Sequence, residues 1–500
     1  MMLTRRQLIC GAPVILKAAA RRPNILLAIA DDWSWPHNSA AGDPVVRTPA
    51  FDRVAQAGVL FTNAICASPG CAPSRAAILT GRPPWQLEEA GTHASLFPSK
   101  FAVFPNLLEA AGYFVGLTGK GAGPCNWKDA GWSRNPAGPA FDERTLEAPK
   151  GVNRNDYAGN FADFLQARPK DRPFFFWYGG HEPHRAYDPG CGLRAGKRLD
   201  AVPVPAFLPD CREVRSDILD YCFEIEWFDR HLGRMLDMLE KAGELENTLV
   251  VVTGDNGMPF PAAKANLREY GIHLPLAVAW PARVKGGRVI EDLISFMDFA
   301  PTFLEAAGLR VPEVIVGRSF LDVLSSARSG RVDPKRTRAL SGRERHSHAR
   351  FDNLGYPSRA LRTDQYLYVR NFKPELWPAG DPPLYADIDD GPSKRYLLEH
   401  GSDPAVRPFF QTACAKRPAE ELFDIRRDPG CVRNLAESPA YTNLLSELRA
   451  ELERTLRAQR DPRVVGGGDI FDSYPRFSPM RPELGGFALQ GEYNPKYRPR

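Results

Sequence analysis

The chain has 500 residues, of which 43% are hydrophobic and 25% are charged, so it can bury a large core and intrinsic disorder is excluded for most of it. Its 65 basic and 60 acidic side chains leave a net charge of only +5. This balance supplies no broad surface for neutralising phosphates and argues against a nucleic-acid binder.

The first twenty residues predict an export signal. Thr4-Arg5-Arg6-Gln7-Leu8 is a twin-arginine pattern, and a short apolar run and Ala18-Ala19-Ala20 follow it. That run is too short to span a bilayer, and no later run reaches the required length. We therefore expect a protein without a membrane span that is exported to the periplasm or secreted, by the twin-arginine route.

Short apolar runs alternate with amphipathic stretches from residue 24 to about 307, which predicts strand-helix repeats and a mainly parallel sheet. Strands are predicted at 24–30, 113–118, 173–178, 248–253 and 274–280. Helices are predicted at 48–57, 104–111, 217–242 and 297–307. The predicted fold class is α/β, a large mainly parallel sheet sandwiched by helices, with a smaller C-terminal α+β domain.

The character of the sequence changes near residue 335, after a stretch rich in Ser, Arg and Gly. Strand-like alternation at 366–369 and 421–425 and an amphipathic helix at 441–459 follow. We interpret residues 22–335 as the larger domain and 336–460 as the smaller one. Residues 461–500 lack periodicity and are predicted to be an irregular tail.

Nine cysteines, eight of them after the signal, are too few for a disulfide scaffold in a chain of this length. Cys191 and Cys211 flank a Pro-rich loop, and a bridge between them is one expectation in an oxidising compartment. The sequence does not fix the connectivity. The spacing matches no zinc site.

Polar residues follow three predicted strands, where ligands of open α/β sheets bind. Asp31-Asp32 follows the first strand, the segment 181–185 follows the third, and Asp255-Asn256 follows the fourth. Asp31, Asp32, Asp255 and the side-chain carbonyl of Asn256 form an all-oxygen set with three negative charges. Such a set suits Ca²⁺ better than zinc.

The most specific segment is Cys71-Ala72-Pro73-Ser74-Arg75, followed by 76–81 (AAILTG). Pro73 and the apolar spacing after it place Cys71 at the start of a helix, where backbone N–H groups stabilise an anion. By itself this arrangement indicates an activated cysteine nucleophile.

The same segment resembles the signature of the sulfatases, in which the cysteine is oxidised to formylglycine. The resemblance runs over roughly residues 22–460 and includes Asp31-Asp32, Gly119-Lys120, Pro183-His184 and Asp255-Asn256-Gly257 in the family's order. It implies an alkaline-phosphatase-like fold, a formylglycine-generating enzyme as a partner during maturation, and a sulfated saccharide as substrate.

The resemblance also implies a role for each matching residue. Hydrated formylglycine made from Cys71 attacks the sulfur of the substrate, and Ca²⁺ holds both the attacking hydroxyl and the sulfuryl oxygens. The implied ligands of Ca²⁺ are Asp31, Asp32, Asp255, Asn256 and residue 71. The sulfate charge is stabilised by cationic side chains, and His184 protonates the leaving atom. The predicted catalytic set is Cys71, Arg75, Lys120, His184 and Lys264.

Some segments resemble the N-sulfoglucosamine sulfohydrolase (sulfamidase) branch more than the arylsulfatases. These are 255–261 (DNGMPFP), 182–185 (EPHR), 356–359 (YPSR) and 370–373 (RNFK). The predicted substrate contacts are Arg185, His346, His348 and Arg359, although a solvated loop is an equally good interpretation of the last three.

One position departs from the family. The usual Lys-x-His is Lys120-Gly121-Ala122 here, so another histidine would have to replace the missing one, and His37, His93 and His181 are the candidates. The alternatives to a sulfamidase are an O-sulfatase or arylsulfatase acting on sulfated polysaccharides and a catalytically impaired protein that binds sulfated glycans.

Overall fold

The computed structural model describes residues 22–498, so the predicted export signal lies outside the described residues. None of the described helices is long and apolar enough to cross a membrane.

An eight-stranded sheet forms the centre of the larger part of the molecule. Its strands are β1 (Asn24–Ala30), β2 (Val59–Ile65), β3 (Phe114–Gly119), β4 (Phe174–Gly179), β5 (Thr248–Gly254), β6 (His273–Ala279), β7 (Arg288–Ile290) and β8 (Ile294–Ser295). They lie in the order β3-β4-β1-β5-β6-β2-β7, and β8 also pairs with β2. All neighbours are parallel except β6, which is antiparallel to both β5 and β2. The predicted mainly parallel sheet is confirmed.

Both faces of this sheet are buried, which explains why its strands read as unbroken apolar runs. In β1, Ile25, Leu27 and Ile29 belong to the core on one face, and the residues between them belong to the core on the other. The helices of this part are α1 (Pro49–Ala57), α2 (Cys71–Thr80), α3 (Phe104–Ala110), α4 (Tyr157–Ala167), α5 (Cys191–Arg194), α6 (Arg212–Lys241), α7 (Glu269–Ile272), α8 (Phe299–Ala306) and α9 (Leu321–Ser325). Helices α2, α3 and α8 cover the first face, and α1, α4 and α6 cover the second.

A second, antiparallel sheet of four strands begins just after the predicted boundary. Its strands are β9 (Ala339–Arg343), β10 (Ser358–Arg362), β11 (Tyr366–Asn371) and β12 (Glu420–Asp424), in the order β12-β11-β10-β9. The helices are α10 (Pro392–His400), α11 (Arg407–Cys414), α12 (Thr442–Ala458), α13 (Pro462–Val465) and α14 (Ile470–Ser473). Four leucines spaced along α12 pack on this sheet, and the predicted α+β character is confirmed.

The segment after α12 is packed against the protein. Phe471 and Tyr474 are buried in the same core as α12, and Tyr493 donates a hydrogen bond to Glu89 (2.7 Å) in the larger part of the molecule. The lack of periodicity reflects short turns and loops, since burial here comes from single aromatic residues rather than from a repeating face.

The expected bridge between Cys191 and Cys211 is wrong. Within residues 22–498 all eight cysteines are unpaired. Cys191 is buried at the start of α5 with its Sγ 3.5 Å from Asp220 on α6, so its thiol points to that helix and not across the Pro-rich loop.

Candidate active site

The ends of three adjacent parallel strands bring the predicted polar residues together. Strand β1 lies between β4 and β5, so the segments that follow these strands meet at one edge of the sheet. The Asp31 amide donates to the Glu182 carbonyl (2.9 Å), and the Asp32 amide donates to Asp255 Oδ1 (3.0 Å).

Asp32 has a backbone conformation that is uncommon for a residue other than glycine. Its φ is +76°, in the left-handed region. The Tyr221 hydroxyl, on α6, donates to the Asp32 carbonyl (3.0 Å), and the amide is fixed by Asp255. The surrounding structure thus determines where the Asp32 carboxylate points, as is typical of strained functional positions.

Three buried oxygens at this edge have no hydrogen-bond partner among the described residues: Asp31 Oδ1, Asp32 Oδ2 and Asn256 Oδ1. Asp31, Cys71 and Asp255 each also offer one ligand atom within 4.8 Å of the others. Buried polar atoms without partners are rare in proteins, and carboxylate and carbonyl oxygens are the ligands of hard divalent cations. The residues present therefore fit a metal ion of that type.

Cationic side chains surround these carboxylates. Lys120 forms an ion pair with Asp31, and Lys264 forms one with Asp32. Arg75, fully buried on α2, places Nε 2.6 Å from Asp255 Oδ2. Burial would raise the pKa of Asp31, but the nearby cations, Lys120 first among them, outweigh it and hold that pKa well below its usual value. The site is thus built for anions as well as for a cation.

Cys71 is the first residue of α2 and is 1% exposed. Its Sγ lies 3.1 Å from Nε2 of His93. Burial raises the pKa of the thiol to about 11, so the unmodified side chain is a neutral thiol at pH 7. Of the three histidines proposed to replace the missing one, the structure brings His93 into contact with residue 71.

His93 is itself packed against a second histidine. The ring of His346 lies 4.5 Å from that of His93, centre to centre, and its Nδ1 lies 3.1 Å from the point where a Cβ on Gly70 would stand. A side chain at position 70 would thus crowd His346. Burial, His346 and Arg476 hold the pKa of His93 well below its usual value, which keeps the ring neutral at pH 7.

His184 faces the carboxylates from the other side. Its Nδ1 donates to the Arg185 carbonyl (2.6 Å), so Nε2 is the atom that faces Asp32, at 4.0 Å. A cavity of about 530 Å³ opens here, lined by residues that include Asp31, Lys120, His181 and His184. An imidazole nitrogen and a lysine ammonium thus border the same space.

The remaining predicted residues have partners inside the protein. Arg185 lines the cavity but forms a two-bond ion pair with Asp217 (2.7 Å each). His348 is buried and accepts the Arg481 amide (2.7 Å).

Two other residues named from the sequence, Arg359 and His37, are also buried and bound to carboxylates. Arg359 is 1% exposed and binds Asp461 and Glu344. His37 is tied to Asp43 (2.8 Å). Neither side chain lines the cavity that His184 borders.

Sequence reasoning missed Asp389. Its carboxylate lies 3.6 Å from Lys264 Nζ and offers an atom within 4.8 Å of ligand atoms of Asp32 and His184. The one signal in the sequence is the acidic run Asp387-Ile388-Asp389-Asp390 in a loop of the smaller part, and spacing alone does not bring that loop to the site.

The comparisons with known proteins agree with this arrangement. Residues 23–309 match the family model described as Sulfatase. The chain belongs to the sulfatase family. It is therefore a hydrolase of sulfuric esters or sulfamates that acts on sulfated glycans, in a family that generally uses formylglycine and a metal ion.

Several relatives of this sulfatase have named activities. An ulvan-active sulfatase of Formosa agariphila is 30% identical over 88% of this chain and 76% of its own length. The N-sulphoglucosamine sulphohydrolase of Homo sapiens is 28% identical over 95% of this chain and 98% of its own length. An N-acetylglucosamine-6-O-sulfatase of Bacteroides thetaiotaomicron is 26% identical over 89% of this chain and 88% of its own length.

A solved structure in complex with its substrate D-glucosamine-2-N,6-O-disulfate has a TM-score of 0.66 and 21% identity over 88% of this chain and 99% of that one. It shares the fold of this sulfatase.

Proposed function

We propose that this sulfatase is an N-sulfoglucosamine sulfohydrolase that uses formylglycine at position 71 and a bound Ca²⁺. The observation that carries the substrate assignment is the nearly end-to-end match with the human N-sulphoglucosamine sulphohydrolase. That match extends through the smaller part of the chain, and loops outside the core motifs set glycan specificity. The segments at 182–185 and 255–261 support the same branch.

The residues around position 71 have separate tasks in this proposal. Arg75, Lys120 and Lys264 bind the sulfate oxygens and stabilise the charge that develops on them. His184 presents Nε2 to the cavity and gives a proton to the leaving nitrogen. His93 accepts a proton from the side chain at position 71, the task left open by Ala122.

We further propose that Asp31, Asp32, Asp255, Asn256 and residue 71 hold the calcium ion. When bound, Ca²⁺ supplies positive charge that orients the sulfate and lowers the pKa of the nucleophile. The three partnerless oxygens support this assignment. The choice of Ca²⁺ over Mg²⁺ rests on the all-oxygen ligand type together with the family resemblance.

Calcium binding is testable by thermal unfolding of the unmodified protein. Ca²⁺ is expected to raise Tm, EDTA to reverse the shift, and Asn256→Ala to reduce it, since binding to the native state stabilises that state. An equal shift in wild type and in the variant would contradict the ligand assignment.

The substrate is testable by sulfate release from N-sulfated glucosamine and from its 6-O-sulfated, N-acetylated counterpart. The protein is produced together with a formylglycine-generating enzyme, and Cys71→Ala is the control. We expect release from the N-sulfated sugar alone. Release from the O-sulfated sugar alone would favour the second candidate, an O-sulfatase, which the ulvan-active and 6-O-sulfatase relatives support.

Release from neither substrate, with formylglycine confirmed at position 71, would leave either a different sulfated glycan as substrate or a protein that binds sulfated glycans without turnover.

We also propose export by the twin-arginine route, based on Arg5-Arg6 and the apolar run after them. This route carries folded proteins, so formylglycine would form before export. Mass spectrometry of the exported protein from its native host should find the modification, and unmodified Cys71 in all of it would contradict the proposal.

A further inference from the structure

The last segment of the chain brings an arginine to the cluster around Cys71. Arg476 is 6% exposed and its Nη1 donates to the His346 carbonyl (3.0 Å). The next residue, Phe477, donates its amide to the carbonyl of Ala94 (2.7 Å), the neighbour of His93. The Arg476 guanidinium interacts electrostatically with both Cys71 and His93.

Arg476 forms no ion pair within the described residues, unlike several other buried arginines. Arg75, Arg185 and Arg359 each form an ion pair with a buried aspartate. Arg476 has only backbone carbonyls as acceptors, and its Nη2 has no partner among the described residues. Asp387 attracts Arg476 but is already bound by Arg343 and Arg350 (2.7 Å each). An incompletely neutralised buried charge is unfavourable, so Arg476 is suited to bind an anion supplied from outside the chain.

A second unpaired arginine stands behind it. Arg345 is 2% exposed and donates to the carbonyls of Tyr474 (2.6 Å) and Pro475 (2.8 Å). These are the two residues before Arg476, so Arg345 positions the segment that carries it. The two guanidinium groups repel each other, and burial together with this repulsion lowers the pKa of Arg345 to about 9. Asp387 attracts Arg476 and Asp472 attracts Arg345, but neither aspartate forms an ion pair with these arginines, so positive charge remains in excess at the pair.

Space for a ligand lies beside the two residues that follow Arg476. Phe477 and Ser478 line a cavity of about 360 Å³ together with Ala94 and Trp127. Pro124 borders both this cavity and the larger one that contains Lys120 and His184. A saccharide with its sulfate at position 71 has room to extend toward the segment that contains Arg476.

We propose that Arg476, positioned by Arg345, forms a second anion subsite beside Cys71, so that the preferred substrate carries a further sulfate or carboxylate next to the sulfate that is removed. This inference rests on the proposed function for the identity of the sugar. A planar guanidinium binds either anion through two parallel hydrogen bonds, so sulfate and carboxylate share the chemistry.

The subsite is testable by comparing three substrates: N-sulfoglucosamine, its 6-O-sulfated form, and an N-sulfated disaccharide that ends in a uronate. We expect wild type to have a higher kcat/KM for at least one of the two doubly anionic substrates than for N-sulfoglucosamine. The preferred substrate identifies whether the second anion is a sulfate or a carboxylate. Arg476→Gln should lower that kcat/KM by about 10- to 100-fold through KM, the effect of one charge-assisted hydrogen bond, and lower the kcat/KM for the singly sulfated sugar by a smaller factor.

Arg498→Gln is the matched control, because Arg498 lies on the same segment but is exposed against Tyr493. It should behave as wild type on all three substrates. Arg476→Lys keeps the charge and should retain part of the preference. Equal losses on every substrate together with a lower Tm would assign Arg476 a structural role and overturn the proposal, as would a wild type that shows no preference.

A binding measurement separates this inference from the proposed function. The unmodified Cys71 protein, titrated with glucosamine N,6-O-disulfate, should bind more weakly in Arg476→Gln than in Arg498→Gln whether or not the sugar is a substrate. Equal affinity in the two variants would overturn the subsite. If wild type does not turn over the sugar, but Arg476→Gln still binds it more weakly than Arg498→Gln, only the substrate assignment would be overturned.

Discussion

His93 contacts Cys71 from a position 22 residues further along the chain. Its Nε2 lies 3.1 Å from Cys71 Sγ, and its low pKa keeps the ring neutral. Removing it should slow the proton transfers at residue 71. We expect His93→Ala to lower kcat by about 100-fold or more, measured per molecule that carries formylglycine by mass spectrometry.

A second buried histidine provides the control for that prediction. His37 is 2% exposed and bound to Asp43, so His37→Ala should lower Tm and leave kcat unchanged. If the two variants retain equal kcat, His93 does not have the proposed role and His181, which lines the cavity, becomes the next candidate to test.

The sequence predicted most of the residues of the candidate site but not which histidine contacts residue 71. Cys71, Arg75 and Asp31 lie within local motifs, so their positions at strand and helix ends follow from short-range patterns. The choice among His37, His93 and His181 depends on which loop folds over α2, and that is decided by tertiary packing. Asp389 and Arg476 were missed for the same reason, since both come from loops far along the chain.

At the scale of elements, β1, β4 and β5 were predicted because a continuous apolar run is the signature of a strand buried on both faces. The antiparallel direction of β6 was not predicted, since strand direction depends on the connection and not on composition. Strand β2 was missed. Its Thr62 and Asn63 break the apolar pattern, and the pairing with β6 shifts register there.

Helix α6 begins at Arg212 rather than near residue 217 and carries a buried carboxyl group inside the protein. Glu224 is 1% exposed, and its Oε1 has no partner among the described residues. Burial, with smaller contributions from Glu182 and Asp220, raises its pKa to about 9 from an ordinary value of 4.5. The folded protein therefore binds this proton more tightly than the unfolded chain does.

The sign of the resulting pH dependence follows from that difference. The stability from Glu224 is full below about pH 4.5 and is lost as the pH rises toward 9, by up to about 1.4 kcal/mol per pH unit. Between pH 5 and 9, the free energy of unfolding of Glu224→Gln should fall less than that of wild type, measured in urea. Glu213→Gln, at an exposed glutamate of the same helix, should follow wild type. Parallel pH profiles for Glu224→Gln and wild type would contradict the raised pKa.

At the scale of the whole molecule, ion pairs tie the segment after α12 to the smaller part. Asp461 is fully buried, and both its oxygens bind Arg359 (2.6 and 3.1 Å). Further along, Asp472 binds Lys373 (2.8 Å) in the loop after β11. Lys496 pairs with Asp352 (2.7 Å). The prediction of an irregular tail thus describes its secondary structure and not its packing.

Asp461→Asn tests how far the molecule depends on this segment. The substitution leaves the buried Arg359 with Glu344 as its remaining carboxylate partner, and breaking a buried pair by removing one member destabilises a protein by about 3–5 kcal/mol. We expect a large fall in the free energy of unfolding in urea. Glu453→Gln, which removes an exposed ion pair with Arg457 on α12, should leave stability unchanged. A small effect of Asp461→Asn would mean that Glu344 alone neutralises Arg359, and that apolar contacts such as those of Phe471 hold the segment in place.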